Sequence, residues 1–383
     1  MHKTLIALAV FGAFSSAALA EGDSAQLYGI VDLGVTHYTG LAPSGRGPGT
    51  VSTTNLSSGV QSPSAIGLRG SEDLGGGLRA LFEAETGFCA AGLNQNADTM
   101  GGQANSNGYC SGTGFMQRKA WVGLAGDFGV VRAGRMTSLQ YRNEAHYVDP
   151  FGWGTTGGAR DLSPLAYAGD ERLNQTVTYV APQVGGFTAA LAYSFAPGTL
   201  GTLPTASGDG SRVARAWSLD GGYAVGPLAA GLSYAKFQNR VANPASGITD
   251  GAANIAQAYG GYDFGLAKVT VEYIRLTEDY VSGAMDYWML GANVKLGPGS
   301  LLASYGYNRN NIDLAQNQNA RKLALGYTYP LSRSTNLYTS YARITNHGGA
   351  AFAVGSANDL GGANMGVANT ASSGVALGLR HLF

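Results

Sequence analysis

The chain has 383 residues, with 24 Arg plus Lys against 24 Asp plus Glu, so its formal net charge is zero. Charged residues make up 13%, about half the ~25% usual in soluble domains, while glycine, at 59 residues, is roughly double its usual ~7% share. A neutral chain is not a polybasic nucleic-acid binder, 45% apolar residues exclude an acidic disordered polymer, and this much glycine excludes a long-helix protein.

Residues 1–20 read as a signal peptide: His2 and Lys3, an apolar run from Leu5 to Phe14, then small residues ending in Ala18-Leu19-Ala20. Cleavage after Ala20 is expected, leaving 21–383 as the working chain. Export implies an oxidising compartment, so Cys89 and Cys110, the two cysteines, are expected to form a disulfide stapling a polar loop. Two cysteines alone do not make a metal site, and no metal or other cofactor is expected.

From Gln26 onward the pattern has period two. Leu27, Val31, Leu33 and Val35 share one face, with Asp32 and Thr36 on the other. Ile66 and Leu68 oppose Gly67 and Arg69; Ala80, Phe82 and Ala84 oppose Arg79, Glu83 and Glu85. The alternation returns at Val269–Tyr273 and Leu323–Tyr327, and finally at Val375, Leu377 and Leu379 before Phe383. Short connections (72–77, 126–129, 183–186, 225–227, 264–265, 297–299, 330–334) alternate with long ones (40–61, 89–114, 136–171, 197–212, 239–254, 278–284, 308–319, 346–372). Seven short plus eight long connections join sixteen strands. No run approaches the ~20 apolar residues of a spanning helix, while segments of about ten alternating residues suit a barrel wall.

The reading is therefore all-β: a closed 16-stranded antiparallel transmembrane β-barrel with short periplasmic turns and long extracellular loops. Leu, Val, Ile, Ala, Phe and Tyr would face lipid; Gly, Ser, Thr, Arg and Glu would face inward. Tyr28, Tyr179, Tyr193, Tyr234, Tyr273, Tyr305, Tyr327, Tyr329, Tyr338 and Tyr341 are candidates for the interfacial girdles.

The stretch Ser64-Ala65-Ile66-Gly67-Leu68-Arg69-Gly70-Ser71-Glu72-Asp73-Leu74-Gly75-Gly76-Gly77-Leu78 resembles the second strand and first turn of Gram-negative trimeric general porins of the beta-proteobacterial type. Tyr28–Asp32, Ala120–Leu124, Gly134-Arg135 and Asp149-Pro150-Phe151-Gly152 are similar to that family too, the last to the start of its constriction loop. Terminal Phe383 resembles the family's assembly signal. The resemblance implies a non-enzymatic outer-membrane homotrimer, embedded in outer-membrane lipid and lipopolysaccharide, through which small hydrophilic solutes and ions diffuse passively. It also implies that the loop at about 136–171 folds inward, its acidic residues facing wall arginines, and that the loop at 89–114 reaches over a neighbouring subunit.

Carried over residue by residue, Arg118 and Arg172 match two arginine positions; the third is Ala65 here. Arg69, further along that face, and Arg79 on the next strand complete the expected basic side. Glu144, Asp149 and Asp161 make the expected acidic side. The arginines suggest a weak anion preference.

Enzyme motifs are absent or out of context. Gly152-Trp153-Gly154-Thr155-Thr156-Gly157 fits G-x-G-x-x-G, but no apolar helical period follows it, as a dinucleotide site requires. The histidines are scattered, without H-E-x-x-H or G-x-S-x-G.

Overall fold

The computed structural model describes residues 23–43, 49–91, 115–168, 171–196, 215–243, 248–279, 281–312, 317–356 and 366–383. Residues 1–20 and Cys110 lie outside this set. The described chain contains seventeen strand segments. The first half comprises β1 (Ser24–Leu41), β2 (Val51–Ser58), β3 (Ala65–Gly75), β4 (Leu78–Gly87), β5 (Lys119–Gly126), β6 (Gly129–Thr137), β7 (Arg172–Val180) and β8 (Phe187–Ser194). The second comprises β9 (Arg215–Val225), β10 (Leu228–Asn243), β11 (Ile248–Asp263), β12 (Ala267–Glu278), β13 (Met285–Leu296), β14 (Gly299–Asn310), β15 (Gln318–Pro330), β16 (Thr335–His347) and β17 (Ala371–Leu382).

Apart from β2 and β3, consecutive segments pair antiparallel, and β1 pairs with β17 from Ile30↔Leu382 to Thr39↔Ser373, which closes the cylinder. Phe383 extends this seam by exchanging backbone hydrogen bonds with Gly29. Its ring lies over Gly29, 2.2 Å from where an ideal Cβ would stand, so a side chain there would push the Phe383 ring aside. The seventeen segments make sixteen staves, because β2 and β3 share one position. β2 pairs with the loop-side half of β1 (Val35↔Leu56), β3 with its turn-side half (Gln26↔Arg69).

Two of the connections read from sequence as long loops are thus partly ladder. The segment 40–61 contains β2, and 239–254 is mostly the ends of β10 and β11, whose Asn, Gly and Ala content masked the alternation.

Val35, Leu56, Val122, Leu232, Leu323 and Leu377 are exposed on the outer wall, while Thr36, Ser218, Ser233, Thr270, Ser304 and Ser340 are buried inside. Two tyrosines assigned to the girdles point inward instead: Tyr28 donates to Glu83 and Glu85 at 2.8 Å each, and Tyr338 donates to Asp32 at 2.6 Å. The inner wall is not uniformly polar. Phe237, Ile255, Ile274, Leu276, Met285, Tyr287 and Ile344 form an apolar patch on it.

The break between β2 and β3 is organised by Asp32, which is fully buried. Its Oδ2 accepts from the backbone N–H of Gln61 and Ser62 at 2.8 and 2.6 Å, and its Oδ1 from Tyr338. The carboxylate replaces the ladder partners these amides lack. Asp32→Ala leaves these donors unpaired at ~1–3 kcal/mol each, so we expect about 3 kcal/mol of lost stability. Urea unfolding in lipid vesicles checks this; an unchanged midpoint contradicts it.

Candidate functional site

The long connection between β6 and β7 lies against the inner wall. Ser138 caps α1 (Leu139–Asn143), its Oγ accepting from Tyr141 N–H at 3.0 Å. A π-turn (Glu144–Val148), a 3-10 turn (Ala159–Asp161) and α2 (Pro164–Ala168) follow. The sequence shows no helical period here because each helical piece is five residues or fewer.

Apolar packing seats the segment. Val148, Phe151, Trp153, Leu162 and Leu165 join Ile255, Ile274, Leu276 and Met285 in one buried cluster. Burial of such side chains is worth roughly 1.5–3 kcal/mol each. Wall contacts run from Gln140, which donates to Ser233 at 2.6 Å, through Thr270, which donates to Val148 O at 2.6 Å, to Asn308, which donates to Leu162 O at 2.6 Å. The far tip reaches the strand break: Thr155 N–H donates to Val60 O at 2.5 Å, and Thr156 and Ser340 hydroxyls meet at 2.8 Å. Gly154 lies so close that an ideal Cβ would stand 1.9 Å from Gln61 O. Its place in the G-x-G-x-x-G pattern therefore serves packing. Trp153 and Thr155 hold left-handed backbone, with φ of 64° and 51°, a cost of order 1 kcal/mol each offset by these contacts.

The three carboxyl groups expected to face the arginines serve the loop itself. Asp149 accepts the N–H of Phe151, Trp153 and Ala159 at 2.9, 2.8 and 2.8 Å. Glu144 Oε2 accepts from Trp153 Nε1 at 2.7 Å and from Ser163 Oγ at 2.9 Å. Asp161 pairs with Lys322 at 2.6 Å, and Lys322 also donates to Gly158 O. All three are buried, turned inward to the fold rather than out to a passage. Burial pushes the Glu144 carboxyl well above the usual carboxylate range, and wall Glu272 and Asp149 push the same way. Burial likewise raises Asp149 against the lowering by its amides.

The four expected basic residues fall into two groups. Arg69 and Arg79 face inward near the short-turn end: Arg69 donates to Gln26 at 3.1 and 2.8 Å and lies 5.1 Å over the Tyr28 ring, and Arg79 donates to Ser71 at 2.6 Å. Arg118, just before β5, and Arg172, at the start of β7, lie at the long-loop end. Arg118 pairs with Glu85 at 2.5 Å, and Arg172 pairs with Glu171 and lies 5.8 Å over Tyr141.

Three further cations belong to this second group and were not singled out from sequence. Lys119 pairs with Glu83 at 2.8 Å, Arg142 with Asp220 at 3.4 Å, and Arg132 lies 5.3 Å over the Trp121 ring. Among the described residues Arg132 makes no ion pair, and it feels the charges of both Arg142 and Glu83. Lys268 donates to Tyr147 O at 3.0 Å and is likewise without a carboxylate partner among the described residues. Burial together with Lys119, Arg142 and Arg172 lowers the His146 imidazole, favouring its neutral form. The signal for Arg132 was present in the alternation Val131-Arg132-Ala133; Arg142 lies where no period could place it.

The raised Glu144 fixes a sign. A carboxyl with a folded-state pKa above its ordinary value favours folding below that ordinary value and loses this contribution as pH rises through the folded value. Proteolytic resistance of this segment should therefore fall as pH rises above the ordinary carboxylate range in the wild type. Glu144→Gln, which keeps a neutral hydrogen-bonding side chain, should flatten the profile. Parallel profiles for the two proteins contradict this.

Comparison with known proteins places this geometry. The sequence model of the Gram-negative porin family matches residues 5–349. Outer membrane porin protein 32 of Delftia acidovorans is 32% identical over the full length of both chains. An outer membrane porin protein of Bordetella pertussis is 29% identical, over 90% of this chain and 94% of its own. Among solved structures, the anion-selective porin from Comamonas acidovorans superposes with a TM-score of 0.73 at 28% identity, covering 94% of this chain and all of that one. The chain belongs to the Gram-negative porins, and is a multi-pass outer-membrane channel protein of the beta-proteobacterial type rather than an enzyme.

Proposed function

We propose that the segment 138–171 narrows a water-filled passage for small hydrophilic solutes and ions, and that the passage prefers anions. A sixteen-strand cylinder is too wide for its wall side chains to fill, and the loop's apolar seat on the inner wall supports the narrowing. One observation carries the preference: the loop's own carboxyl groups are buried and engaged within the fold, whereas Arg132 and Lys268 make no ion pair among the described residues. Arg118, Lys119, Arg142 and Arg172 each have one. The local sum is positive, and charges lining a narrow aqueous gap bias ion choice. The Comamonas relative's description as anion-selective agrees with this reading.

Reversal potentials across planar lipid in a potassium chloride gradient test it. Wild type should favour chloride, Arg132→Gln should lower the anion-to-cation ratio by roughly two- to threefold, and Arg132→Glu should bring it to or below unity. Cation preference in wild type overturns the reading.

The remaining proposals concern assembly. Residues 1–20 would be removed on export, the barrel would associate as a homotrimer in outer-membrane lipid and lipopolysaccharide, and Phe383 would serve as the assembly signal. A Cys89–Cys110 disulfide would stiffen the loop that reaches the neighbouring subunit. Reduction should then lower the temperature at which trimers dissociate in gel assays, and Cys89→Ser should remove the difference between reduced and unreduced samples. An unchanged temperature contradicts the bridge's role.

A further inference from the structure

The outward face of β12–β16 carries, at its long-loop end, a graded set of side chains. The pairing register lays Val271, Leu290, Tyr305 and Leu323 in one row. The next row toward the loops holds Tyr273, Trp288 and Tyr307, with ring centroids 5.2 and 5.6 Å apart, and then Arg321, whose guanidinium lies 5.7 Å over Tyr307. The row beyond begins Arg275, Asp286, Arg309. Arg343, on β16, stands opposite Leu323, with Nη1 3.5 Å from Ser373 Oγ. Among the described residues, four arginines share this surface with two carboxylates, Asp286, which Arg275 engages at 3.0 Å, and Asp279, just past the end of β12, which Lys236 engages at 3.6 Å. Arg309, Arg321 and Arg343 are exposed and make no ion pair among the described residues.

This arrangement has no use inside the channel, since these side chains point away from it. The three arginines step back one row per strand, from Arg309 through Arg321 to Arg343, as a level line crosses tilted strands, with aliphatic and aromatic side chains on its turn side, the order of head group, interface and acyl chain met on entering a hydrocarbon layer. Strands are spaced about 4.8 Å apart and two residues along a strand rise ~7 Å, so neighbouring arginines of this set are roughly 8 Å apart and Arg309 and Arg343 about twice that, a spacing that serves two separated phosphates better than one. Guanidinium binds phosphate through paired, charge-assisted hydrogen bonds.

We propose that the loop-end outer face of β12–β16 is a binding site for the phosphorylated glycolipid of the outer leaflet, with Arg309, Arg321 and Arg343 holding its phosphates and Leu290 and Leu323 its acyl chains. The site rests on the barrel's outer-membrane placement and gives the proposed lipopolysaccharide contact a location. It is independent of the ion preference, and single-channel conductance in the same samples separates the two.

The test is native mass spectrometry of the detergent-solubilised protein, titrated with bisphosphorylated lipid A, monophosphorylated lipid A or a zwitterionic phospholipid. Wild type should retain the bisphosphorylated form at least tenfold better than the zwitterionic lipid, and better than the monophosphorylated form. The triple variant Arg309→Gln/Arg321→Gln/Arg343→Gln should lose at least tenfold in lipid A occupancy, with phospholipid occupancy and conductance unchanged. Arg215→Gln, an exposed arginine on β9, should leave lipid A occupancy unchanged. Full retention by the triple variant overturns the proposal, as does an equal loss in Arg215→Gln. Loss of oligomers with lipid A occupancy intact also overturns it, marking the row as a contact between copies. Should the triple variant not fold, equal retention of bisphosphorylated and zwitterionic lipid by wild type is sufficient to reject the site.

Discussion

Everything in this molecule follows from the requirement that a wall in hydrocarbon leave no backbone donor or acceptor unpaired. The chain meets it by continuous antiparallel pairing that returns to its start, where β17 meets β1 and Phe383 bonds Gly29. Once the cylinder is closed, each position has a fixed face. The period-two alternation then decides what meets lipid and what meets the interior.

Closure creates a second requirement, because the interior is wider than its lining. The wall answers with an apolar patch where a purely aqueous lining would be polar, and the 138–171 segment covers it. The segment is held by buried carboxyl groups acting on its own amides, indole and hydroxyl, and by the Asp161–Lys322 pair to the wall. Its buried carboxyl groups are consumed in folding it. The balance of charge beside it is consequently set by strand residues such as Arg132 and Lys119 and by Arg142 of α1.

The stave count, closure and outward faces were legible because lipid tolerates few exceptions to the apolar outer row, as at Leu27, Val31 and Val35. The interior was less so. Tyr28 and Tyr338 fit a girdle by composition, yet their hydroxyls bond Glu83 and Asp32 inside the wall. Asp149 stood out by its D-P-F-G context, but a sequence cannot tell a carboxylate that faces water from one that caps three amides. The inward patch was written as Ile274 and Leu276 flanking Arg275, an inversion of the expected polarity that only a covering loop explains. The β2–β3 break left no signature beyond a Gly/Ser-rich stretch, since its organiser, Asp32, lies some thirty residues away along the chain.

That break bears on how the loop can move. Val60 offers its carbonyl to Thr155, so one wall acceptor is completed by the loop rather than by a neighbouring strand. Swinging the tip aside would orphan that oxygen, uncover Gly154's close seat on Gln61 and release two left-handed residues at once. The tip behaves as a stitch in the fabric of the cylinder, so the aperture proposed beside it would be a rigid sieve rather than a hinged flap.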